Sequence, residues 1–276
     1  MSAATLAAEA TIAAFGARCE PSTVDYGEAE LSPDGRWVAL MCHGNDLEKN
    51  SSLRVFSLEG DTEWSVYFAD YAKGTEYDRH DMLWPYHWSR DGRYLYAAAE
   101  SRASGCCWIG WGRLLVRLNL VTGQQTEVVN FVPQIPARLP GVDFSFSPSD
   151  RYFLYIPQGG EDQLFVLDLA TWSVRVIALA VERGSAGHTL MSNSDKRVIL
   201  VFREYPEESK GDLTFGSLVV IDLNSGSQRR LISGLDYHKT PLPVRWVDDH
   251  QVLLQGADGY WLLDVDTTEL TPTVGP

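Results

Sequence analysis

Apolar and polar residues alternate along most of the chain in short runs that turn residues interrupt. Each of five segments has a large apolar residue, a turn rich in Ser, Asp or Gly, and then an apolar run. These segments are residues 31–40, 88–97, 146–155, 191–200 and 246–255. Asp-Gly or Ser-Asp turns flanked by β-branched and aromatic residues are typical of β-hairpins. The pattern therefore predicts an all-β protein.

A second pair of strands follows each hairpin. The third strands are predicted at residues 53–58, 115–120, 164–169, 218–223 and 260–265, and short runs such as 126–132 and 174–179 predict a fourth. Successive hairpin turns lie 45 to 58 residues apart, which leaves room for four strands per repeat. Repeats of this kind are typical of propellers. We therefore expect a β-propeller of five four-stranded antiparallel blades.

The turn sequences resemble those of a known family. Ser-Pro-Asp-Gly-Arg at residues 32–36, its variant at 89–93, and Leu-Asp-Leu at 167–169 are similar to the WD-repeat-like blades of TolB-type β-propellers. The resemblance covers about residues 26–274 and implies architecture, since related repeats occur in binding scaffolds and in the non-catalytic propellers of peptidases. The chain contains no Gly-x-Ser-x-Gly, phosphate-loop or His-Glu-x-x-His motif.

The repeats also predict the domain organisation. Residues 26–276 are expected to form a single propeller, and residues 1–25 form an N-terminal segment before it. The Ala-rich residues 4–18 are compatible with a capping helix or with a strand that closes the ring. The fifth hairpin turn, at residues 247–250, lacks glycine and is a candidate for the point of closure.

Charge narrows the range of partners. The 276 residues include 23 Lys and Arg against 37 Asp and Glu, a formal net charge of −14. Such a field repels polyanions and anionic membrane surfaces, so we expect no nucleic-acid partner. No stretch approaches the roughly 18 consecutive apolar residues that a membrane helix needs, so we expect no membrane insertion. A protein or peptide partner, cationic or neutral, is favoured. Because the Ala-rich start lacks a basic region and contains Glu9, it does not match a signal peptide, and a soluble cytoplasmic location is expected.

The four cysteines, Cys19, Cys42, Cys106 and Cys107, match neither a disulfide scaffold nor a zinc-binding spacing. We expect reduced thiols, no resident metal and no cofactor. A redox or thiophilic-metal role for the adjacent pair is the alternative.

Long connections should all lie on one face of the propeller. Tight turns join strands one to two and three to four, whereas residues 43–50, 70–85, 100–112, 133–141 and 203–216 connect the other strand ends. Long loops on a rigid scaffold commonly carry binding groups. The candidate binding residues are Tyr77, Asp78, His80, Asp81, Trp84, Trp108, Trp111 and Tyr205. Aromatic rings among carboxylates suit a peptide, a cation or a sugar. The alternative for Trp108 and Trp111 is a packing role between blades.

The first strand of each blade offers a second candidate site. By strand alternation, polar residues two and four positions before the turn should share one side, at the mouth of a central channel. They are Glu28, Glu30, His87, Asp143 and His188. These groups could bind a metal or act as acid and base, or they could be hydrated channel-lining residues. By contrast, Asp168, Asp222 and Asp264 recur at one repeat position, so we expect them to stabilise the fold.

Two functional hypotheses follow. The first is a non-catalytic scaffold that presents the acidic and aromatic loops to a protein or peptide, with no catalytic residue. The alternative is a hydrolase of the glycoside-hydrolase kind, which needs two carboxylates roughly 5 to 9.5 Å apart. Glu28, Asp143 and Asp81 are the candidates for such a pair.

Overall fold

The computed structural model describes most of the repeat region. The described residues are 29–42, 52–71, 81–101, 112–130, 142–157, 162–180, 184–204, 215–236 and 239–275. The chain divides into two compact units, residues 1–141 and 142–276. The N-terminal segment, residues 1–25, lies outside the described residues, and the assignment of residues 26–276 to one propeller stays a prediction.

The first unit contains two four-stranded antiparallel blades. Blade 1 consists of β1 (Ala29–Leu31), β2 (Trp37–Cys42), β3 (Ser52–Ser57) and β4 (Glu63–Tyr67). Blade 2 consists of β5 (Asp81–Trp88), β6 (Tyr94–Ser101), β7 (Gly112–Asn119) and β8 (Gln125–Asn130). A 3-10 turn at Phe68–Asp70 follows β4. Within each blade the strands pair in chain order.

The second unit contains three blades of the same kind. Blade 3 consists of β9 (Val142–Phe146), β10 (Tyr152–Pro157), β11 (Gln163–Asp168) and β12 (Val174–Ala178). Blade 4 consists of β13 (Gly184–Met191), β14 (Arg197–Glu204), β15 (Phe215–Asp222) and β16 (Gln228–Asp236). Blade 5 consists of β17 (Leu242–Trp246), β18 (Gln251–Gly256), β19 (Gly259–Asp264) and β20 (Leu270–Thr273). The predicted fold class, a five-bladed β-propeller, is confirmed. No helix in the described ranges has the length and apolarity that crossing a bilayer requires.

Apolar cores form between successive blades of a unit. The middle strand β14 shows why, because its side chains alternate between two cores. Val198, Leu200 and Phe202 pack with blade 3, whereas Ile199 and Val201 pack with blade 5. All five are at most 2% exposed. A strand that is apolar on both faces must be covered on both, so each blade depends on its neighbours.

A serine side chain holds the first hairpin of four blades. In blade 1, Ser32 Oγ accepts the backbone N–H of Trp37 at 2.9 Å and donates to Asp34 Oδ1 at 2.7 Å. The same bond from the strand N–H to the serine recurs at Ser89, Ser147 and Ser192. In blade 5, Asp248 instead accepts the N–H groups of the turn. The divergent fifth turn therefore uses a carboxylate where the others use a hydroxyl.

The backbone at these turns enters the left-handed region. The residue three positions after the serine has φ between +59° and +70°, and it is Gly35, Gly92, Asp150 or Asp195. Glycine meets no Cβ penalty there, and Asp is one of the few other residues that tolerate this conformation. The Asp-Gly and Ser-Asp sequences of the repeats are therefore interchangeable solutions of one turn.

The second turn of each blade depends on a side-chain oxygen at the end of the third strand. The Oδ1 atom accepts two backbone N–H groups, two and three residues further on, at Asn119, Asp168, Asp222 and Asp264. The N–H of Ser225 contributes most to lowering the pKa of Asp222. The prediction that the three aspartates are structural is confirmed, and Asn119 plays the same part in blade 2.

A side chain from one outer strand also clasps the second turn of the next blade. Each donor is the second residue of a fourth strand, and each acceptor is the carbonyl that follows a third strand. The pairs are Trp64 with Leu120, Arg175 with Leu223, and Arg229 with Val265. We call this contact the interblade clasp. It recurs at one repeat position in both units, so it is part of the fold.

Cys42, at the end of β2, is disulfide-bonded. Cys19, Cys106 and Cys107 lie outside the described residues. The expectation that all four cysteines are reduced is therefore wrong at Cys42.

The clasp in the first unit predicts unequal effects of two glycine substitutions. A Cβ on Gly123 would lie 2.4 Å from Trp64 Cζ3, whereas Gly35 has a similar φ and no atom within 4 Å. Gly35→Ala should lower the free energy of unfolding by about 1–2 kcal/mol, the cost of the left-handed backbone. Gly123→Ala should lose a further ~1–3 kcal/mol because the indole must move. Equal losses in urea denaturation would contradict this role of the indole.

A histidine–aspartate contact within blade 5 predicts that the stability of the fold depends on pH. His250 Nδ1 contacts Asp266 Oδ2, and this hydrogen bond raises the pKa of His250. The pair therefore stabilises the fold fully below the unfolded pKa, about 6.5, and the contribution is lost as the pH rises through the higher folded pKa. His250→Gln should lower the melting temperature more at pH 5.5 than at pH 8.5. In an Asp266→Asn background the same change should have a smaller pH-dependent effect, because only the charge of Asp248 then still raises the pKa of His250.

Candidate functional site

Most of the predicted loop residues cannot be placed by geometry. Tyr77, Asp78, His80, Trp108, Trp111 and Tyr205 lie outside the described residues. Asp81 is the first residue of β5, and its backbone alone is described. Trp84 is the one member of this set whose side chain is described. A binding role for the loop residues stays a prediction.

Trp84 lies inside β5, opposite Ala98 of β6, and not on a loop. Its indole Nε1 is buried and has no hydrogen-bond partner among the described residues, and the same is true of Trp88 at the end of the strand. Buried indole N–H groups usually have an acceptor. In blade 5, for example, Trp246 Nε1 donates to the Leu190 carbonyl at 3.0 Å. The first strand of blade 2 thus holds two donors that the described part of the chain does not use.

The first strands of three blades carry a β-bulge at one repeat position. The register shifts between Pro85 and His87 in β5, between Gly187 and Leu190 in β13, and between Pro243 and Arg245 in β17. A bulge adds a residue to one strand and turns its side chain in a new direction. Two of the residues concerned, Tyr86 and Val244, are 36% and 37% exposed. The bulges therefore present side chains that a regular strand would direct elsewhere.

These bulges affect the prediction that five polar residues share one side of the first strands at the mouth of a channel. The grouping assumed unbroken alternation, which holds in the backbone of β1 and β9. It is interrupted in β5 and β13, the strands of His87 and His188. Glu28 lies outside the described residues, and the side chain of Asp143 is not described.

His188 has an unusual backbone for a residue inside a strand. Its φ is +53°, and its side chain is exposed. The other non-glycine residues with positive φ in the described ranges, Asp150, Trp172, Asp195 and Thr268, all lie in the recurrent turns. Strain of this kind outside a turn commonly accompanies a functional constraint. Among the candidates predicted from the sequence, His188 thus combines a strained backbone with an exposed side chain.

A hydrogen bond joins the first strands of blades 3 and 4 next to His188. Ser145 Oγ lies 2.7 Å from Thr189 Oγ1, and Thr189 is buried. The bond ties β9 to β13 directly beside the bulge. The exposed imidazole of His188 therefore stands on backbone that is fixed by its neighbour.

The first unit presents its own polar residues on first strands. The ring of half-buried His87 lies 6.0 Å from that of Tyr96 on β6, and Glu30 is exposed on β1. Across the described segments, no group of three or more His, Cys, Asp or Glu side chains is arranged to hold a metal ion.

Blade 5 contains a pocket of about 380 Å³ that was not predicted from the sequence. Lys239, Asp258, Trp261 and Leu270 are among its lining residues. An aromatic and aliphatic wall with two charged groups is typical of small-ligand sites. The lining residues come from three separate stretches with no motif. The one indication of this pocket in the sequence was Trp261, an aromatic residue in the third strand of blade 5.

Comparison with known proteins identifies the fold and nothing finer. No family model and no curated protein matches the sequence. An oligogalacturonate lyase in complex with manganese is 14% identical, with a TM-score of 0.54, over 92% of this chain and 66% of that one. Porphyromonas gingivalis dipeptidyl peptidase 4 is 8% identical, with a TM-score of 0.56, over 95% of this chain and 41% of that one.

TolB from Acinetobacter baumannii is 16% identical over 91% of this chain and 55% of that one, with a TM-score of 0.42. The chain thus spans between 41% and 66% of these three solved structures. The similarity to the lyase and to the peptidase, both with TM-scores above 0.5, supports the propeller fold.

The strained position of His188 predicts how substitutions should behave. A β-branched residue tolerates positive φ poorly, whereas Asn adopts it readily. His188→Val should therefore lower the free energy of unfolding by about 1–2 kcal/mol, and His188→Asn should leave it nearly unchanged. Urea denaturation of both variants tests the backbone assignment. A stable His188→Val variant would contradict it.

Proposed function

We propose that the protein is a non-catalytic binding scaffold of the TolB type, which presents its acidic and aromatic loops to a protein or peptide partner. The observation that carries the proposal is that the polar side chains of the tight turns stabilise the turns themselves. Side-chain acceptors of the tight turns, such as Ser32, Asp168 and Asp264, are taken up by backbone N–H groups of the same turn. The oxygen atoms engaged in this way are less available to a ligand.

We therefore expect the ligand-binding side chains at the strand ends opposite the tight turns and on the first strands of the blades. The aromatic and acidic loop residues belong to those ends by sequence, and the bulges at Tyr86, His188 and Val244 lie on the first strands. Rings provide contact area at low conformational cost, and carboxylates provide directed acceptors. A net charge of −14 favours a cationic partner and disfavours nucleic acid and anionic membranes.

The hydrolase alternative depends on a close pair of carboxylates. None of its three candidates, Glu28, Asp143 and Asp81, has a described side chain. No geometric observation in the described residues therefore favours it, and it stays a prediction from sequence.

The disulfide at Cys42 bears on the predicted cytoplasmic location. Cys42 is disulfide-bonded, and structural disulfides persist mainly in oxidising compartments. This bond weighs against the cytoplasm and leaves the proposed binding role unaffected.

The test is a partner-binding experiment with a loop variant. Tyr77, Trp108, Trp111 and Tyr205 are changed together to Ser; Trp84 is left intact because it is half-buried in β5. A protein captured by the wild type should be identified and purified, and its affinity measured by calorimetry. We expect the loop variant to bind at least about tenfold more weakly, since aromatic residues dominate binding energy.

The matched control carries Val121→Ser and Val247→Ser, two exposed apolar positions on tight turns. It should bind like the wild type, and all three proteins should melt alike. Equal affinity of the loop variant would refute the proposed surface. Hydrolysis of an oligosaccharide by the wild type, abolished by Glu28→Gln or Asp143→Asn without loss of folding, would refute the non-catalytic assignment.

A further inference from the structure

The outer strand of blade 3 has a free backbone edge. At the hairpin end, the Asp168 N–H donates to the Ser173 carbonyl. The alternation of an antiparallel ladder then directs the backbone groups of Arg175 and Ile177 towards β11, and those of Val174, Val176 and Ala178 outwards. Consistent with this, the Ala178 carbonyl accepts a hydrogen bond from Gln228 Nε2 of blade 4. Among the described residues, no such bond reaches the outward groups of Val174 and Val176.

The side chains along this edge are apolar and exposed. Val174 is 50% exposed and Val176 is 49% exposed. They lie opposite Leu167 and Phe165 of β11, and Phe165 stacks on Tyr155 of β10 with ring centroids 4.8 Å apart. Cross-strand partners share one face of a sheet. The exposed valines therefore extend an apolar face that crosses the blade.

The other outer strands carry features that discourage strand pairing. Irregular register interrupts β8 and β16, Pro272 lies in β20, and β4 begins with the charged residue Glu63. Bulges, prolines and charges of this kind protect sheet edges. On β12 the ladder is regular over five residue pairs, Val-Arg-Val-Ile-Ala. Its one charged residue, Arg175, is engaged in the interblade clasp.

We propose that β12 is a docking edge for an extended peptide segment of a partner protein, in which apolar residues alternate with basic ones. The segment would pair with the outward backbone groups of Val174 and Val176 as an added strand. Its apolar side chains would lie beside the two valines. This surface is distinct from the loops of the proposed function and is tested separately.

Charge decides between a peptide and a second copy of this chain. Two chains with net charges of −14 repel each other, whereas a basic segment is attracted. Asp162 is exposed at the end of the ladder, where its carbonyl accepts the Leu179 N–H. A carboxylate at that end complements a lysine of the incoming strand.

The experiment uses a short peptide of alternating lysine and valine, blocked at both ends and labelled with fluorescein. A second peptide of the same sequence is N-methylated at alternate amides, so it keeps the charge and loses one hydrogen-bonding edge. Fluorescence anisotropy with the full chain should detect binding of the first peptide. We expect the methylated peptide to bind at least about tenfold more weakly, because strand addition depends on main-chain hydrogen bonds.

Two protein variants test the edge itself. Val176→Pro removes an outward N–H and spares the ladder to β11, a placement that proline tolerates on edge strands. Val174→Lys with Val176→Lys removes the apolar row. Both should weaken binding about tenfold or more. The control, Val121→Lys with Val274→Lys, adds the same charge at exposed positions elsewhere and should retain stronger binding than the double lysine variant of β12.

Any one of four results would overturn the proposal, and the first three concern peptide binding. They are no binding to the wild type, equal binding of the methylated peptide, and equal binding by both β12 variants. A wild-type dimer in sedimentation that Val176→Pro converts to monomer would also overturn it, because a second copy would then occupy the edge. The loop variant of the proposed function should retain peptide binding, so the two proposals can fail independently.

Discussion

The middle strands of each blade are apolar on both faces, and this constraint governs the rest of the structure. In β14, adjacent residues such as Val198 and Ile199 enter different cores, each formed with a different neighbouring blade. No blade can satisfy such strands alone. The interblade clasps then fix how the neighbours meet, because a directed hydrogen bond sets the position of an outer strand against the next turn. Hydrophobic burial supplies the association, and the clasps supply its register.

The clasps also explain a departure from the repeat. The donor is an indole at Trp64 but a guanidinium at Arg175 and Arg229, and all three reach an equivalent carbonyl. The chain can exchange these residues because the requirement is a donor of sufficient length. Gly123 shows the associated constraint, since the broad indole leaves no room for a Cβ at the turn it covers.

The sequence predicted the blade architecture because turns are local. Asp168, Asp222 and Asp264 could be recognised as structural from their recurrence alone. The bulges could not be derived from alternation, because an extra residue leaves the pattern of residue types almost unchanged while it redirects the strand. Pro85 and Pro243, four positions before the turn in blades 2 and 5, were the available indication, since proline inside a strand marks bulges. Long connections carry no periodic pattern, so the geometry of the candidate loop residues could not be predicted.

Differences between blades therefore carry more functional information than similarities. Folding demands the same turn from every blade, and the chain meets that demand with residues of equivalent capacity, such as Gly35 and Asp195. Folding makes no such demand for positive φ at His188, because first strands without a bulge occur in blades 1 and 3. Folding likewise does not require an unprotected edge at β12, because the other outer strands carry irregular register, a proline or a charged residue. Features that the fold neither requires nor repeats need another explanation, and contact with a partner provides one.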